Sequence, residues 1–166
     1  MSNSQPARLV DPPEAGFLIE VPEPPVPQLD WVLQQLVRMA NERVVEMPVT
    51  LHVHGVVVSG YIVGGQQFFD RWADEIASGM TGDTESSSDL KRSLASFGSN
   101  YPSRDLAERT EAGEDVDLPS DPQFIHLRDA RFLSGTEFLP TNRPLLWRAR
   151  LAAVDAFFVG ILGVPE

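Results

Sequence analysis

The hydrophobic pattern changes its period twice in the first half of the chain. Apolar residues recur at helical spacing between residues 29 and 43, which predicts an amphipathic helix with Asp30 as its N-cap. Apolar and polar positions then alternate, which predicts a half-buried strand, and Gly55 lets the chain turn into a second, valine-rich strand. Helical spacing returns in QQFFDRWADEIASG, residues 66–79, where Trp72 is expected to pack against strand residues such as Val53 or Phe158.

The last third of the chain is again rich in strand-forming residues. The stretches QFIHLRDARFLSG, PLLWRARL and AFFVGIL predict three more short strands, with a break near AAVD between the last two. Together with the helices these elements predict an α+β fold. We expect a small, strongly bent β-barrel of the SH3-like or Sm-like kind, with an N-terminal capping helix and a second helix after the first hairpin.

Composition divides the chain into an ordered part and two polar segments. Residues 1–28 contain seven prolines, which predicts a proline-rich flexible tail. Residues 29–166 are expected to form a single domain, interrupted at residues 79–121 by a long acidic insertion. This insertion carries ten acidic residues and is predicted to be largely disordered, apart from a short helix in SSSDLKRSLASF.

Charge and cysteine content exclude several classes of function. The net charge of −11 repels phosphate backbones and so disfavours general nucleic-acid binding. The absence of cysteine excludes thiolate metal sites, disulfides and cysteine nucleophiles. Because the N-terminus does not resemble a signal peptide and the longest apolar stretch is too short to span a bilayer, we expect a soluble cytoplasmic protein.

Three histidines are the candidate metal ligands. His52 and His54 would share one face of a strand, and His126 on another predicted strand would supply a third nitrogen. No recognised zinc-binding spacing accompanies them, and histidine is common on half-exposed strands. The sequence therefore favours a structural role for the histidines, with no metal and no cofactor.

Four arginines are the candidate partner-binding residues. Arg148 and Arg150 share a predicted strand face, and Arg128 and Arg131 flank Asp129 on another strand. Guanidinium groups suit carboxylates, so these arginines are expected either to bind an acidic partner or to pair with the acidic insertion. Neither a nucleophile elbow, a phosphate-binding loop nor a complete dinucleotide fingerprint is present, so the sequence predicts a protein that is not an enzyme.

Three blocks of the sequence resemble those of the gas vesicle accessory protein GvpU family. They are LHVHGVVVSGYIVGGQQFFDRWAD, FIHLRDARFLSG and LLWRARLAAVDAFFVGIL, in the family's order and with a polar segment after the first block. Ala149 stands where the family pattern has a glycine after WR. The resemblance implies a cytoplasmic, gas-vesicle-associated accessory protein without catalytic activity, whose partners are gas vesicle structural or accessory proteins.

The residues agree with an interaction module that assists gas vesicle assembly or clustering. Two alternatives remain open: an Sm-like nucleic-acid-binding protein, which the acidic charge disfavours, and a histidine-coordinated metalloenzyme. Homo-oligomerisation is also left open by the sequence. Salt-dependent RNA binding would support the first alternative and stoichiometric bound metal the second.

Overall fold

The computed structural model of the chain describes six stretches, which are residues 29–43, 45–80, 84–102, 112–113, 121–143 and 145–162. The predicted flexible tail lies outside them. So do residues 81–83, 103–111 and 114–120 of the acidic insertion, for which the prediction of disorder stays a prediction. The described part of that insertion is mainly helical.

The described stretches contain three α-helices and six strands, an α+β composition as predicted. The helices are α1 (Trp31–Arg43), α2 (Gly65–Gly79) and α3 (Thr84–Ala95). The strands are β1 (Met47–Val53), β2 (Val56–Ile62), β3 (Phe124–Ser134), β4 (Glu137–Leu139), β5 (Leu145–Arg150) and β6 (Val154–Val159). Short 3-10 helices follow α3 (Ser96–Asn100) and β5 (Leu151–Ala153).

The start of α1 and the first hairpin follow the sequence pattern closely. The Asp30 carboxylate caps α1 by accepting hydrogen bonds from the backbone N–H groups of Val32 and Leu33, at 2.9 and 3.0 Å. Strands β1 and β2 pair as an antiparallel hairpin whose two turn residues, His54 and Gly55, have φ angles of 50° and 82°. Two successive positive φ values are typical of the tight turns that match strand twist.

All strand pairs are antiparallel, and the sheet does not close. Its order is β4-β3-β2-β1-β6, with β5 also pairing with β3 beside β4. The 3-10 helix after β5 connects this strand to β6 at the opposite edge of the sheet. Among the described residues, β5 and β6 are not paired with each other. The predicted closed barrel of the SH3-like or Sm-like kind is therefore not confirmed, because neither outer edge has a further strand partner within the described stretches.

The main core lies between α1 and one face of the sheet. Helix α1 contributes three buried apolar residues, Leu33, Val37 and Ala40. The strands contribute further buried residues, which are Val49, Leu51, Val58, Ile62, Ile125, Leu127 and Ala130. Burial of this apolar surface is the main term that stabilises the fold, at about 25 cal/mol per Å² removed from water.

The remaining helices form a second layer beside β3, which we call the helical arm (residues 65–80 and 84–101). Helix α2 packs against α3, the 3-10 helix at Ser96–Asn100 and β3. Its start is fixed to α1, because the Asn41 side-chain oxygen accepts a 2.8 Å hydrogen bond from the Gly65 N–H. A side chain at Gly64 would meet the Ala40 carbonyl oxygen at 2.8 Å, so glycine permits this close approach.

Trp72 occupies a different environment from the one expected. It is half-buried on α2, and its ring lies edge-on to Phe69 with the two centroids 5.9 Å apart. Because α2 packs on α3 and β3, the tryptophan lies in the helical arm and does not make the expected contact with Val53 or Phe158.

Among the described residues, no helix combines the length and apolar character needed to cross a membrane.

Candidate functional site

The four candidate arginines lie on one face of the sheet, opposite the face that α1 covers. In the strand registers, Arg128 is opposite Tyr61 and Arg131 is opposite Ser59. On the other side of β3, Arg148 is opposite His126 and Arg150 is opposite Phe124. Directly opposite residues share a face, and so do alternate residues along one strand. We call this surface the arginine face (Arg128, Arg131, Arg148 and Arg150).

A bulge in β3 is what brings Arg131 to the same face as Arg128. These residues are three apart, and a regular strand would place them on opposite faces. The registers with β2 and β5 both shift at this point, and Asp129 has a φ of 52°. An extra residue therefore enters β3 and returns the alternation to the arginine face.

Arg128 is engaged in structural contacts. Its Nε donates a 2.7 Å hydrogen bond to Glu46, which also accepts one of 2.8 Å from Arg71, and its guanidinium lies 4.3 Å from the centre of the Tyr61 ring. A second ion pair joins it to Asp129. The hydrogen bond from Arg128 lowers the pKa of Glu46, and the same bond raises the pKa of Arg128.

Arg148 is also held in place, although its side chain is exposed. Its Nε donates to Nε2 of His126 at 3.2 Å, and its guanidinium lies 3.5 Å from the centre of the Phe124 ring. Stacking on an aromatic face and a directional hydrogen bond together restrict the side chain. The outer N–H groups of Arg148 are thereby presented from a fixed position.

His126 is fully buried between the sheet and the helical arm. Its ring contacts Phe68, Phe69 and Tyr101, with centroid separations of 4.7, 5.9 and 5.1 Å. Desolvation, with a smaller contribution from the nearby charge of Arg148, lowers the pKa of His126 to about 3. Because Nε2 accepts from Arg148, the neutral ring carries its proton on Nδ1, which has no hydrogen-bond partner among the described residues.

Arg131 and Arg150 differ from the other two arginines. Both side chains are exposed, and the described part of the chain offers neither of them an ion pair or side-chain hydrogen bond. Their charges are therefore available to a partner, whereas Arg128 is already neutralised by carboxylates. The sequence pattern identified the four residues but could not rank them in this way.

The segment after β6 borders the arginine face. Thr50 and Ser59 are buried there and share a 2.9 Å hydrogen bond between their hydroxyl groups. Thr50 also donates to the Gly160 carbonyl oxygen, and the Leu162 N–H donates to Ser59 Oγ. Because Ser59 is opposite Arg131, this apolar segment lies beside one of the available charges.

A cleft of about 500 Å³, lined by both polar and apolar groups, adjoins the other end of the arginine face. It lies between α1 and the two chain segments around Tyr101 and Gln123, and an ion pair between Arg38 and Asp121 lies at its wall. Phe124 lines the cleft and also supports Arg148. The lining groups form no set that indicates a particular ligand or reaction.

The structure does not bring the three histidines together as a ligand set. His52 is exposed on β1, His54 lies in the hairpin turn rather than on the strand, and His126 is buried behind the helical arm. The His54 N–H donates to the Asp155 carboxylate at 2.6 Å. No cluster of three or more histidine, aspartate or glutamate residues suited to a metal occurs in the described stretches.

Sequence reasoning missed the role of His126 as the contact between two layers. The sequence did contain an indication of this contact. Phe97 and Tyr101 are the two aromatic residues of the acidic insertion, and aromatic side chains in a polar segment need apolar residues elsewhere to pack against. In the structure both approach Phe69, at 5.9 and 5.8 Å. Strand β4 was also missed, because three residues are too few to show a period.

Comparison with known proteins gives one match. The family model described as "Gas vesicle protein GvpU-like" matches residues 30–162, a range that includes all three described α-helices and all six strands. Neither the curated proteins nor the solved structures contain a significant match to the chain.

Proposed function

The chain belongs to the GvpU-like family of gas vesicle proteins, and from this premise we propose that it is a cytoplasmic gas vesicle accessory protein that acts as an interaction module rather than an enzyme. Its partner is a gas vesicle shell protein or another accessory protein. Binding through the arginine face assists the assembly or clustering of the vesicles.

The observation that carries this proposal is the convergence of four arginines on one sheet face. Ten of the acidic residues lie in the insertion and four in residues 1–28, so the arginine face is a local exception on a chain of net charge −11. A cationic surface on an acidic protein favours one partner geometry over many, because other approaches are repelled. The partner is expected to present carboxylates.

Arg131 and Arg150 are the residues proposed to contact the partner. They have no ion pair in the described part of the chain, so binding breaks no internal contact. Arg148, held by His126 and Phe124, adds a charge whose position is fixed before binding. Arg128 contributes mainly to the structure through Glu46.

Co-sedimentation with purified gas vesicles tests the proposal. The double variant Arg131→Gln/Arg150→Gln is compared with Lys91→Gln/Arg92→Gln, which removes the same charge from α3. We expect the arginine-face variant to raise the apparent Kd at least about fivefold, as loss of two exposed charge pairs predicts, and the α3 variant to leave it unchanged. Raised salt should weaken binding of the parent protein.

Equal losses in the two variants would assign the effect to net charge and overturn a specific arginine face. Full binding by the arginine-face variant, with circular dichroism matching the parent, would overturn it as well. Absence of vesicle association in the parent protein would overturn the accessory role itself.

A further inference from the structure

The two outer edges of the sheet differ in how well they are protected. One edge is formed by β4, which has three residues, and by β5, which carries the exposed charges of Arg148 and Arg150. Short strands and charged side chains are common means of preventing edge-to-edge association. The other edge is formed by β6 alone, which pairs with β1 on one side and has no described partner on the other.

Strand β6 and the residues after it are both apolar and exposed. Phe158, Val159, Ile161 and Leu162 expose 43, 65, 41 and 36% of their surface. The single charge of the strand, Asp155, accepts a hydrogen bond from the His54 backbone of the hairpin turn. Residues 156–159, with the sequence AFFV, therefore form an uncharged and unprotected strand edge. Residues 160–162 turn away from this edge toward Thr50 and Ser59.

We propose that this edge binds a second copy of the chain, with the two β6 strands pairing antiparallel across a two-fold axis. An antiparallel strand that pairs with itself about Phe157 places the two Asp155 carboxylates at opposite ends, each opposite Val159. The apolar residues of one copy then face those of the other. The free backbone N–H and C=O groups of both edges gain partners.

A second copy suits this edge better than the opposite edge of a neighbouring molecule. Pairing β6 with β5 would place uncharged, apolar residues beside the exposed side chains of Arg148 and Arg150. Removing water from these charges costs free energy. Self-pairing of β6 involves no such charge. Two-fold pairing also closes the assembly at two copies, whereas edge-to-opposite-edge pairing continues into a ring or filament.

The exposed area indicates a weak dimer. The two exposed apolar side chains of the strand, Phe158 and Val159, offer on the order of 200 Å² per copy, less than the roughly 800 Å² per partner of a standard stable interface. The charge of −11 on each copy adds repulsion. We therefore expect dimers that form at high protein concentration and that are favoured by added salt, which screens this repulsion.

Sedimentation equilibrium of the full chain without vesicles tests the proposal. Phe158→Lys places a charge on the free edge opposite Ala156 of the other copy, and Leu139→Lys is the matched control because Leu139 is similarly apolar and 44% exposed on β4, against 43% for Phe158. We expect the β6 variant to weaken the dimer at least about tenfold, because pairing would bury an unpaired ammonium group. The β4 variant should dimerise like the parent.

Engineered cysteines give a second, independent measurement. Because the chain has no cysteine, Ala156→Cys, Phe158→Cys and Leu139→Cys each introduce a single thiol. Ala156 of one copy lies opposite Phe158 of the other, so mild oxidation of a mixture of these two β6 variants should give covalent dimers in preference to the β4 variant. This result does not depend on how well the lysine variant folds.

A parent chain that is monomeric at about 100 μM in raised salt would overturn the proposal. Equal weakening by the β4 lysine would overturn it in favour of opposite-edge pairing. The β6 lysine variant is also tested by co-sedimentation with gas vesicles. If it loses vesicle association while its self-association is unchanged, the occupant of the β6 edge is a gas vesicle protein instead of a second copy. Sedimentation equilibrium and cross-linking are measured without vesicles, so a negative result there rejects the dimer without rejecting the proposed function.

Discussion

At the scale of the residue, His126 joins the sheet to the helical arm. Its backbone carbonyl accepts from the Val63 N–H, while its side chain contacts rings from α2 and from the segment after α3. The ring accepts a hydrogen bond from Arg148, and its neutral form is the one that fits this site. Protonation would place a second positive charge beside Arg148 in a desolvated position.

This burial predicts a pH dependence of stability. The pKa of His126 is lowered to about 3 in the fold, whereas the unfolded chain has the ordinary value of 6.5. Between these values the unfolded chain binds a proton that the folded chain does not, so the free energy of unfolding falls as pH decreases. We expect about 2 kcal/mol of this loss between about pH 7 and pH 5, measured by urea unfolding.

His126→Phe should remove this part of the pH dependence, whereas His52→Gln should retain it because the His52 side chain is exposed in the fold. The chosen range lies above the lowered pKa of Glu46, so that carboxylate contributes little there. Identical slopes for the parent and His126→Phe would show that His126 is accessible to protons in the native state.

At the scale of the element, α2 holds the helical arm together through Phe69. Its ring contacts those of Phe68, Trp72, Phe97 and Tyr101, and also His126. These partners come from α2 itself, from the 3-10 helix region and from β3. Phe69 is therefore the residue through which three elements share one aromatic cluster.

Replacing Phe69 by alanine should destabilise the protein by about 2–3 kcal/mol, somewhat below a fully buried phenylalanine because the ring is half-exposed. Trp72→Ala should cost less, about 1–2 kcal/mol, since its one described ring contact is with Phe69. Chemical denaturation measures both values. Hydrogen exchange of the α3 amides should accelerate in Phe69→Ala more than that of the β1–β2 hairpin.

A larger cost for Trp72→Ala than for Phe69→Ala would contradict this arrangement of the arm. Uniform acceleration of exchange across all elements would show that the arm and the sheet unfold as one unit. In that case the aromatic cluster would be part of the global core rather than a separate contact.

At the scale of the whole molecule, the acidic insertion contains two kinds of sequence. Residues 84–101 include α3, a 3-10 helix and the two aromatic residues that reach Phe69. Residues 103–120 carry six acidic and two basic residues and no aromatic one. The two described residues of this second part, 112 and 113, are exposed.

Two deletions should therefore have different effects. Replacing residues 103–120 by a short Gly/Ser linker should change the melting temperature by no more than about 3 °C, because loop closure depends weakly on length. Replacing residues 81–118 should lower it by about 10 °C or more, because Phe69 and His126 then lose Phe97 and Tyr101. Thermal unfolding followed by circular dichroism compares the two.

Equal melting temperatures for the two deletions would show that α3 and the following 3-10 helix contribute no net stability. A large loss on replacing residues 103–120 alone would show that this segment supplies contacts to the fold. Measured alongside vesicle co-sedimentation, the shorter deletion also tests whether acidic residues of the chain compete for the arginine face.

The sequence by itself determined the local elements and the family. Helices α1 and α2, the hairpin with its turn at Gly55, the cap at Asp30 and the strand break near residues 151–153 all follow from spacing and from single-residue preferences. These features depend on residues that are neighbours along the chain, so a short stretch of sequence is enough to predict each of them. The three motif blocks identified the GvpU family, which the match over residues 30–162 confirmed.

The tertiary structure alone decided which distant residues meet. A one-residue bulge in β3 sets the face on which Arg131 lies, and the burial of His126 depends on rings that are distant along the chain, those of Phe68, Phe69 and Tyr101. The open sheet likewise depends on which edges pair, since the same strands suit a closed barrel or an open one. Side-chain alternation fixes a face only within one regular strand, so the arginine face and the free edge of β6 required the assembled sheet.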